Sequence, residues 1–259
     1  FQWAGVRYAL NARRCFLADE QGLGKTVEAL ACLEADDAYP AIVVCPASLK
    51  LNWEREAARW LPHRSVAVVQ GRSAVPPRGD ITILNYEIVA AHREQLGRGR
   101  PKALVVDEAH LCKNPRAKRT QAVRRLAETV APDGLRLALT GTPVENNLSE
   151  LWALLDWTTP GLLGTLPAFR SRYAKAVESD RDHQTTERLA TLVRPFLLRR
   201  RKSDPGIAPE LPPKTATDHP VALTREQAAL YEAFVREMMA QIQRSTGIER
   251  RGLVLKLLT

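Results

Sequence analysis

The sequence predicts an α/β fold in which a parallel sheet carries helices on both faces. Three observations point there. Short apolar runs rich in β-branched residues recur along the chain and alternate with segments of helical spacing. The first run leads through a glycine-bearing turn into a helix, from Phe16 to Leu30. Later runs stop abruptly in polar clusters at Pro46, Asp107 and Thr140, as expected where functional residues gather at the carboxyl ends of parallel strands.

Gln2 and Gly5 to Tyr8 read as a short helix ahead of the first strand, Phe16-Leu17-Ala18. The second strand, Ala41-Ile42-Val43-Val44-Cys45, ends at Pro46, and a helix beginning at Ser48 runs through Trp53, Glu56 and Trp60. Val66 to Val69 and Ile81 to Leu84 are further strands, separated by a turn-rich stretch over 71–80. Ala103 to Val106 and Leu135 to Leu139 complete the buried set. From Asn147 the period becomes helical, with Asn147 and Glu150 fitting a capping pair and Leu148, Leu151, Trp152 and Leu155 forming one stripe. Helices are expected at Phe169 to Val177 and Thr186 to Val193, then a strand-like Pro195 to Arg200. Prolines and a glycine between Ser203 and Pro213 mark a linker. A short extended stretch, Thr217 to Leu223, leads to a helix capped by Thr224 with Gln227, whose Leu230, Phe234, Met238 and Ile242 read as a packing face.

At 259 residues the chain is long for one simple domain and short for two, against about 100 to 200 residues per domain. There is no run of 18 or more apolar residues and no charged-then-apolar leader, so no membrane partner is expected. The expected compartment is the cytosol or nucleoid, or the nucleus if the source is eukaryotic. Cys15, Cys32, Cys45 and Cys112 are scattered, without the spacing of a zinc site or a disulfide framework. The formal charge of +9 favours a polyanionic partner. Both ends read as cuts: Phe1-Gln2 opens without a methionine and the apolar 253–259 stops without a packing partner, so a longer parent is expected.

The stretch Asp19 to Thr26 reads as a phosphate cradle. Gly22 and Gly24 admit close approach of an anion, the helix start directs unpaired N–H groups at it, and Lys25 adds a mobile positive charge. Thr26 offers a hydroxyl to Mg²⁺. Asp19 stands where the usual loop begins with glycine. Downstream, the pair Asp107-Glu108 follows a buried strand, which would set two carboxylates opposite a bound triphosphate: Asp107 to hold Mg²⁺, Glu108 to orient and deprotonate water.

The order of these motifs resembles the Swi/Snf-type ATPases of helicase superfamily two, which include chromatin remodellers and bacterial double-stranded DNA translocases. Phe1-Gln2 with Gly5-Val6 is similar to the family's adenine-reading glutamine motif, and Asp19 to Thr26, with Leu23 between its glycines, to its "DEMGLGKT" loop. Val44 to Leu49 with Asn52-Trp53 matches the next segment, Asp107 to His110 the DEAH box, and Leu139 to Pro143 with Asn146 the "LTGTPxxN" motif. Leu197 to Arg200 and Leu211 to Lys214 extend the similarity. Gln21 replaces the usual Met, Tyr8 stands where Trp is common, and Asn85-Tyr86 departs from the frequent Thr-Tyr.

The resemblance implies a RecA-like P-loop lobe over 1–204 with a helical insertion at about 147–195, and a linker with the helical start of a second lobe over 205–259. It implies ATP bound at Gln2, Gly22, Leu23, Gly24, Lys25 and Thr26, Mg²⁺ at Thr26 and Asp107, and catalysis by Lys25, Asp107 and Glu108. His110, Thr140, Gly141 and Thr142 would couple the nucleotide site, and Pro46, Ser48, Leu49, Asn85, Tyr86, Lys113 and Asn114 would lie along one DNA strand. Lys113, Arg116, Lys118 and Arg119 form a basic cluster suited to phosphates. The implied activity is ATP-driven translocation on double-stranded DNA that displaces or remodels an unknown bound protein. Rival readings are a strand-separating helicase and a nucleotide-gated DNA-binding module without turnover. The second RecA-like lobe, with the arginine that completes the site, is expected beyond Thr259.

Overall fold

The structure is a computed structural model that describes residues 1–72, 79–142, 147–212, 215, 217–247, 250 and 252–254. Pro143, Asn146, Pro213, Lys214, part of the 71–80 turn and the apolar 255–259 lie outside the described residues. The chain forms two compact units, Phe1–Leu211 and Pro212–Thr259.

The first unit is built in the order α1 (Gln2–Ala12), β1 (Arg14–Leu17), α2 (Lys25–Ala35), β2 (Ala41–Cys45), α3 (Lys50–Trp60), β3 (Val66–Val68), β4 (Ile81–Asn85), α4 (Val89–Arg98), β5 (Ala103–Val106), α5 (Lys118–Ala127), β6 (Leu135–Leu139), α6 (Leu148–Thr158), α7 (Leu166–Phe169), α8 (Lys175–Glu178), α9 (His183–Val193) and β7 (Leu197–Leu198). All seven strands are parallel, in the order β3-β4-β2-β5-β6-β1-β7. The order reverses around β2 and β5, so the segments leaving β1, β2, β5 and β6 emerge on one edge, where a doubly wound sheet offers its crevice.

Strand residues alternate between two cores, as the two-residue period requires. Phe16, Ile42, Val44, Leu104, Val106 and Ala138 pack with α4, α5, α6 and α9. Leu17, Val43, Ile83, Val105, Leu137 and Leu139 pack with α1, α2 and α3 on the other face. Both faces are covered, which is why the central strands read as unbroken apolar runs.

The helical insertion belongs to the first of these cores. Leu151, Leu154, Leu155, Trp157, Phe169, Leu189 and Val193 join the sheet residues there, and the Trp152 indole donates to the Gly164 carbonyl at 2.9 Å. Residues Arg170–Ala174 form a π-helical turn between α7 and α8.

Three local expectations are corrected. Asn147 is the N-cap of α6, but its side chain makes no capping bond. The Leu148 N–H donates instead to Glu178 Oε1 at 2.5 Å, and Glu150 faces Lys113 at 3.4 Å. The strand-like Pro195 to Arg200 contains only two paired residues, Leu197 and Leu198, against Phe16 and Leu17. In the second unit, α10 (Arg225–Arg244) carries the full Thr224–Gln227 capping box, yet of its four apolar residues at spacing four only Met238 and Ile242 are buried. Leu230 and Phe234 are exposed. Each step of four overshoots a 3.6-residue turn by about 40°, so the stripe winds about 120° around the helix and cannot keep one face.

Candidate nucleotide and nucleic-acid site

The loop after β1 is shaped by what lies beneath it. Asp19 is fully buried and meets Arg200, which donates to Asp19 Oδ1 from its backbone N–H at 2.9 Å and to both carboxylate oxygens from its side chain. The same guanidinium reaches Glu28 Oε1 of α2 at 2.7 Å and the Phe1 carbonyl at 2.5 Å. One cation thus ties the loop, the first turn of α2 and the start of the chain together. Burial pushes the Glu28 carboxyl up to about 7, with Arg200 drawing it down and Asp19 adding to the rise.

The loop then turns through Gly22 (φ 87°) and Gly24 (φ 83°), conformations that a side chain rarely tolerates. An added Cβ at Gly24 would displace the Gln2 amide, whose Nε2 lies 2.1 Å from its position. That amide donates to the Leu23 carbonyl at 3.3 Å. Gly24 is also the N-cap of α2, and no side chain caps the helix, so an anion at this end would meet uncapped amides. The Lys25 ammonium closes the loop on itself, donating to the Asp19 carbonyl at 2.7 Å and lying 3.4 Å from that of Glu20. Burial lowers its pKa, while Glu108, Asp19 and Asp107 pull the other way. A cation so placed is desolvated and ready to exchange carbonyls for phosphate oxygens.

The acids stand on the same edge of the sheet. Asp107 follows β5 and is nearly buried. Its Oδ2 accepts from the Trp53 indole at 2.8 Å, and its Oδ1 from the Glu108 N–H at 2.9 Å. Burial raises the Asp107 pKa against these two donors and against Lys25. Glu108 has a left-handed backbone (φ 48°, ψ 48°), and its carboxylate is partly exposed, 3.2 Å from His110 Nδ1. That nitrogen lies 3.4 Å from Thr140 Oγ1, which in turn accepts from the Thr142 N–H at 3.1 Å. Lys25, Pro46, Glu108, His110, Gly141 and Thr142, from four strand ends, line one cleft of about 630 Å³. The Lys25 ammonium and the Glu108 carboxylate therefore line one cleft, and the donor types at these strand ends suit a nucleotide with its cation: uncapped amides and an ammonium for phosphates, carboxylates for a hard metal.

The residues expected along DNA follow the ends of β2, β4 and β5 on this edge. Ser48 and Asn114 are exposed, and Pro46, Leu49, Asn85 and Lys113 are half-buried. The Tyr86 side chain is different, being 2% exposed. A second cleft, about 720 Å³, opens beside Tyr86 and Glu87 and is lined by Arg72, Lys118 and Arg119.

Two participants escaped the sequence reading. Glu28 lies in the first turn of α2, and Arg200 is one of four consecutive cations. Only its separation of 181 residues from Asp19 hides the pairing.

The glycine loop, the paired acids and the parallel sheet together define the class: a RecA-like P-loop lobe. Residues 1–258 match the SNF2-related domain family, and the chain belongs to that family. It is similar to the "Putative ATP-dependent helicase/translocase YwqA" of Bacillus subtilis, 35% identical over 278 residues, covering 100% of this chain and 29% of the relative. It also resembles the human "SWI/SNF-related matrix-associated actin-dependent regulator of chromatin subfamily A member 1", 33% identical over 259 residues, covering 94% of this chain and 24% of that protein. Among solved structures, the "Sulfolobus solfataricus SWI2/SNF2 ATPase core in complex with dsDNA" matches with a TM-score of 0.73 and 34% identity, covering 99% of this chain and 56% of that one. The chain thus spans less than a third of these two relatives and just over half of the solved core. No described helix is long and apolar enough to cross a membrane.

Proposed function

We propose that this chain is the ATP-binding lobe of an ATP-driven translocase on double-stranded DNA, with residues 1–204 as that lobe and 205–259 as the linker and opening of a second one. The observation that carries the reading is the single cleft in which Lys25 and the loop face Glu108, His110 and Thr142. Gln2, already at the loop, would read the adenine, and the amides of Gly22 to Thr26 would take the phosphates. Thr26 and Asp107 are the residues that would hold Mg²⁺, whose charge offsets that gathering on the phosphates. Lys25 would leave the Asp19 and Glu20 carbonyls for phosphate oxygens. Glu108 would take the proton of the attacking water, and the contacts His110–Thr140–Thr142 would carry the change in the cleft to the end of β6.

DNA as the polymer is supported by the duplex in the Sulfolobus relative's title, the charge of +9, and the cations Arg72, Lys118 and Arg119 around the second cleft. Such contacts hold phosphates and not base edges, which suits a motor that must pass every sequence. The protein it displaces is not identified by these features. A second lobe would supply the arginine that completes the site, a group worth about 10³ to 10⁵ in turnover, so the chain alone should bind nucleotide and hydrolyse it slowly.

The test is ATP turnover by the full-length protein with and without duplex DNA. Stimulation is expected, and its absence defeats the translocase reading. Efficient separation of forked DNA in the absence of a bound protein would favour a strand-separating helicase. Unchanged turnover in Glu108→Gln would remove Glu108 as the base and favour a binding module.

A further inference from the structure

We infer that Tyr86 is a positioning residue: its phenol holds the left-handed turn that presents the Glu108 carboxylate and links that turn to the basic cleft beside it. The inference rests on the assignment of Glu108 as base given above. Its starting point is a mismatch, because a residue expected at the DNA surface has its side chain inside the protein. The ring is packed in the core with Ile88, Val89 and Cys112. Its hydroxyl donates to the Asp107 carbonyl at 2.5 Å and lies 3.3 Å from the Glu108 carbonyl.

Those two carbonyls flank the one residue of the acid pair with strained geometry. A non-glycine residue at φ 48° persists only where its surroundings hold it. The Leu111 N–H fixes the Glu108 carbonyl from the far side at 2.9 Å, and Tyr86 fixes the peptide between 107 and 108. Backbone rotation there would swing the Glu108 side chain away from His110. Trp53 restrains Asp107 by a different route, through its carboxylate.

The other side of Tyr86 faces the second cleft. Asn85 ends β4 and donates to Glu87 Oε2 at 2.6 Å, Arg72 reaches the Glu87 carbonyl at 3.5 Å, and Glu87 lines the cleft with Lys118 and Arg119. A phosphodiester drawn to Arg72, Lys118 and Arg119 would compete with Glu87 for them. Any resulting shift of residues 85–87 moves the phenol that restrains Glu108. Tyr86 therefore touches both the basic cleft and the backbone of the acids.

Tyr86→Phe removes the hydroxyl and leaves the packed ring. In the full-length protein with saturating duplex DNA, kcat for ATP should fall about 10- to 100-fold, as for a misplaced catalytic group. KM for ATP and the half-saturating DNA concentration should stay within about twofold, a split that general loosening of the fold would not give. Two measurements do not depend on turnover. Amide exchange at 108–111 should quicken in nucleotide-free Tyr86→Phe, and in the nucleotide-free wild type it should change when duplex DNA is added. The second needs no variant and holds even if Tyr86→Phe folds poorly. A kcat within about twofold of wild type, a loss carried by KM, or exchange at 108–111 indifferent to bound DNA overturns the inference. Glu108→Gln is the control: if it leaves turnover intact, the base assignment fails, and if it abolishes turnover while Tyr86→Phe is silent, only the role of Tyr86 fails.

Discussion

Two acidic clusters flank the phosphate loop and are built in opposite ways. Asp19 and Glu28 are fully buried and share one guanidinium, with five hydrogen bonds from Arg200 to their carboxylates. Asp107 and Glu108 are held by fewer side-chain partners, an indole, a peptide N–H and a histidine, and Glu108 keeps a side chain open to the cleft. Arg200 takes up both oxygens of Asp19 and one of Glu28, and neither carboxylate is open to solvent, which leaves them little access to a ligand. A carboxylate oriented by fewer donors retains its lone pairs and can move a proton. Proximity to the loop therefore does not distinguish the acids proposed to be catalytic; the chemistry of their partners does.

The sharpest way to break this contrast is to exchange the consequences of losing a group from each cluster. Glu108→Gln should lower ATP turnover by about 10² to 10⁴ while nucleotide binding, followed by fluorescence of a labelled analogue, and thermal unfolding change little. Arg200→Ala should do the reverse, stranding two buried carboxylates at a cost of about 3–5 kcal/mol in urea unfolding. Should Arg200→Ala leave stability intact, the structural reading of the first cluster is wrong.

A finer test uses Trp53→Phe. The lost bond to Asp107 Oδ2 should cost about 1.5–3 kcal/mol of stability, since its acceptor is charged. It also removes one of the groups that hold the Asp107 pKa down against burial. The Mg²⁺ concentration for half-maximal turnover should rise, most strongly in acid.

A last test is the pH dependence of Glu28→Gln. Burial raises the Glu28 pKa from 4.5 to about 7 in the fold. Its contribution to stability is complete below the unfolded value and is lost as pH rises through about 7. Glutamine does not titrate, so the melting temperature of the variant relative to wild type should climb between about pH 5 and about pH 8. A flat difference would show that Arg200 already keeps Glu28 ionised.

The sheet was legible because buried parallel strands leave a local signature. Ala41–Cys45, Ala103–Val106 and Leu135–Leu139 occupy the spans their apolar runs suggest. The loop and acid pair were legible for a related reason, since each is a short contiguous motif. What escaped depends on partners far apart in sequence. Nothing near Arg200 distinguishes it from Arg199 or Arg201, and the pairing with Asp19 exists only once β7 lies beside β1. The burial of the Tyr86 side chain was hidden for the same reason: its neighbours Asn85 and Glu87 are half-buried and exposed, while the hydroxyl's partner follows β5, 21 residues on. The α10 stripe was a miss of another kind, because spacing four was taken as one face when it winds about the helix.

The sheet described above ends on β3, three residues long, and on β7, two residues long. Each border therefore exposes few unpaired N–H and C=O groups to a strand from a neighbouring molecule. Beyond β7 the cations Arg199, Arg201 and Lys202 follow, and like charges on two such margins would repel. A seven-stranded parallel sheet with apolar strands would otherwise offer long borders for a further strand; here both border strands are short.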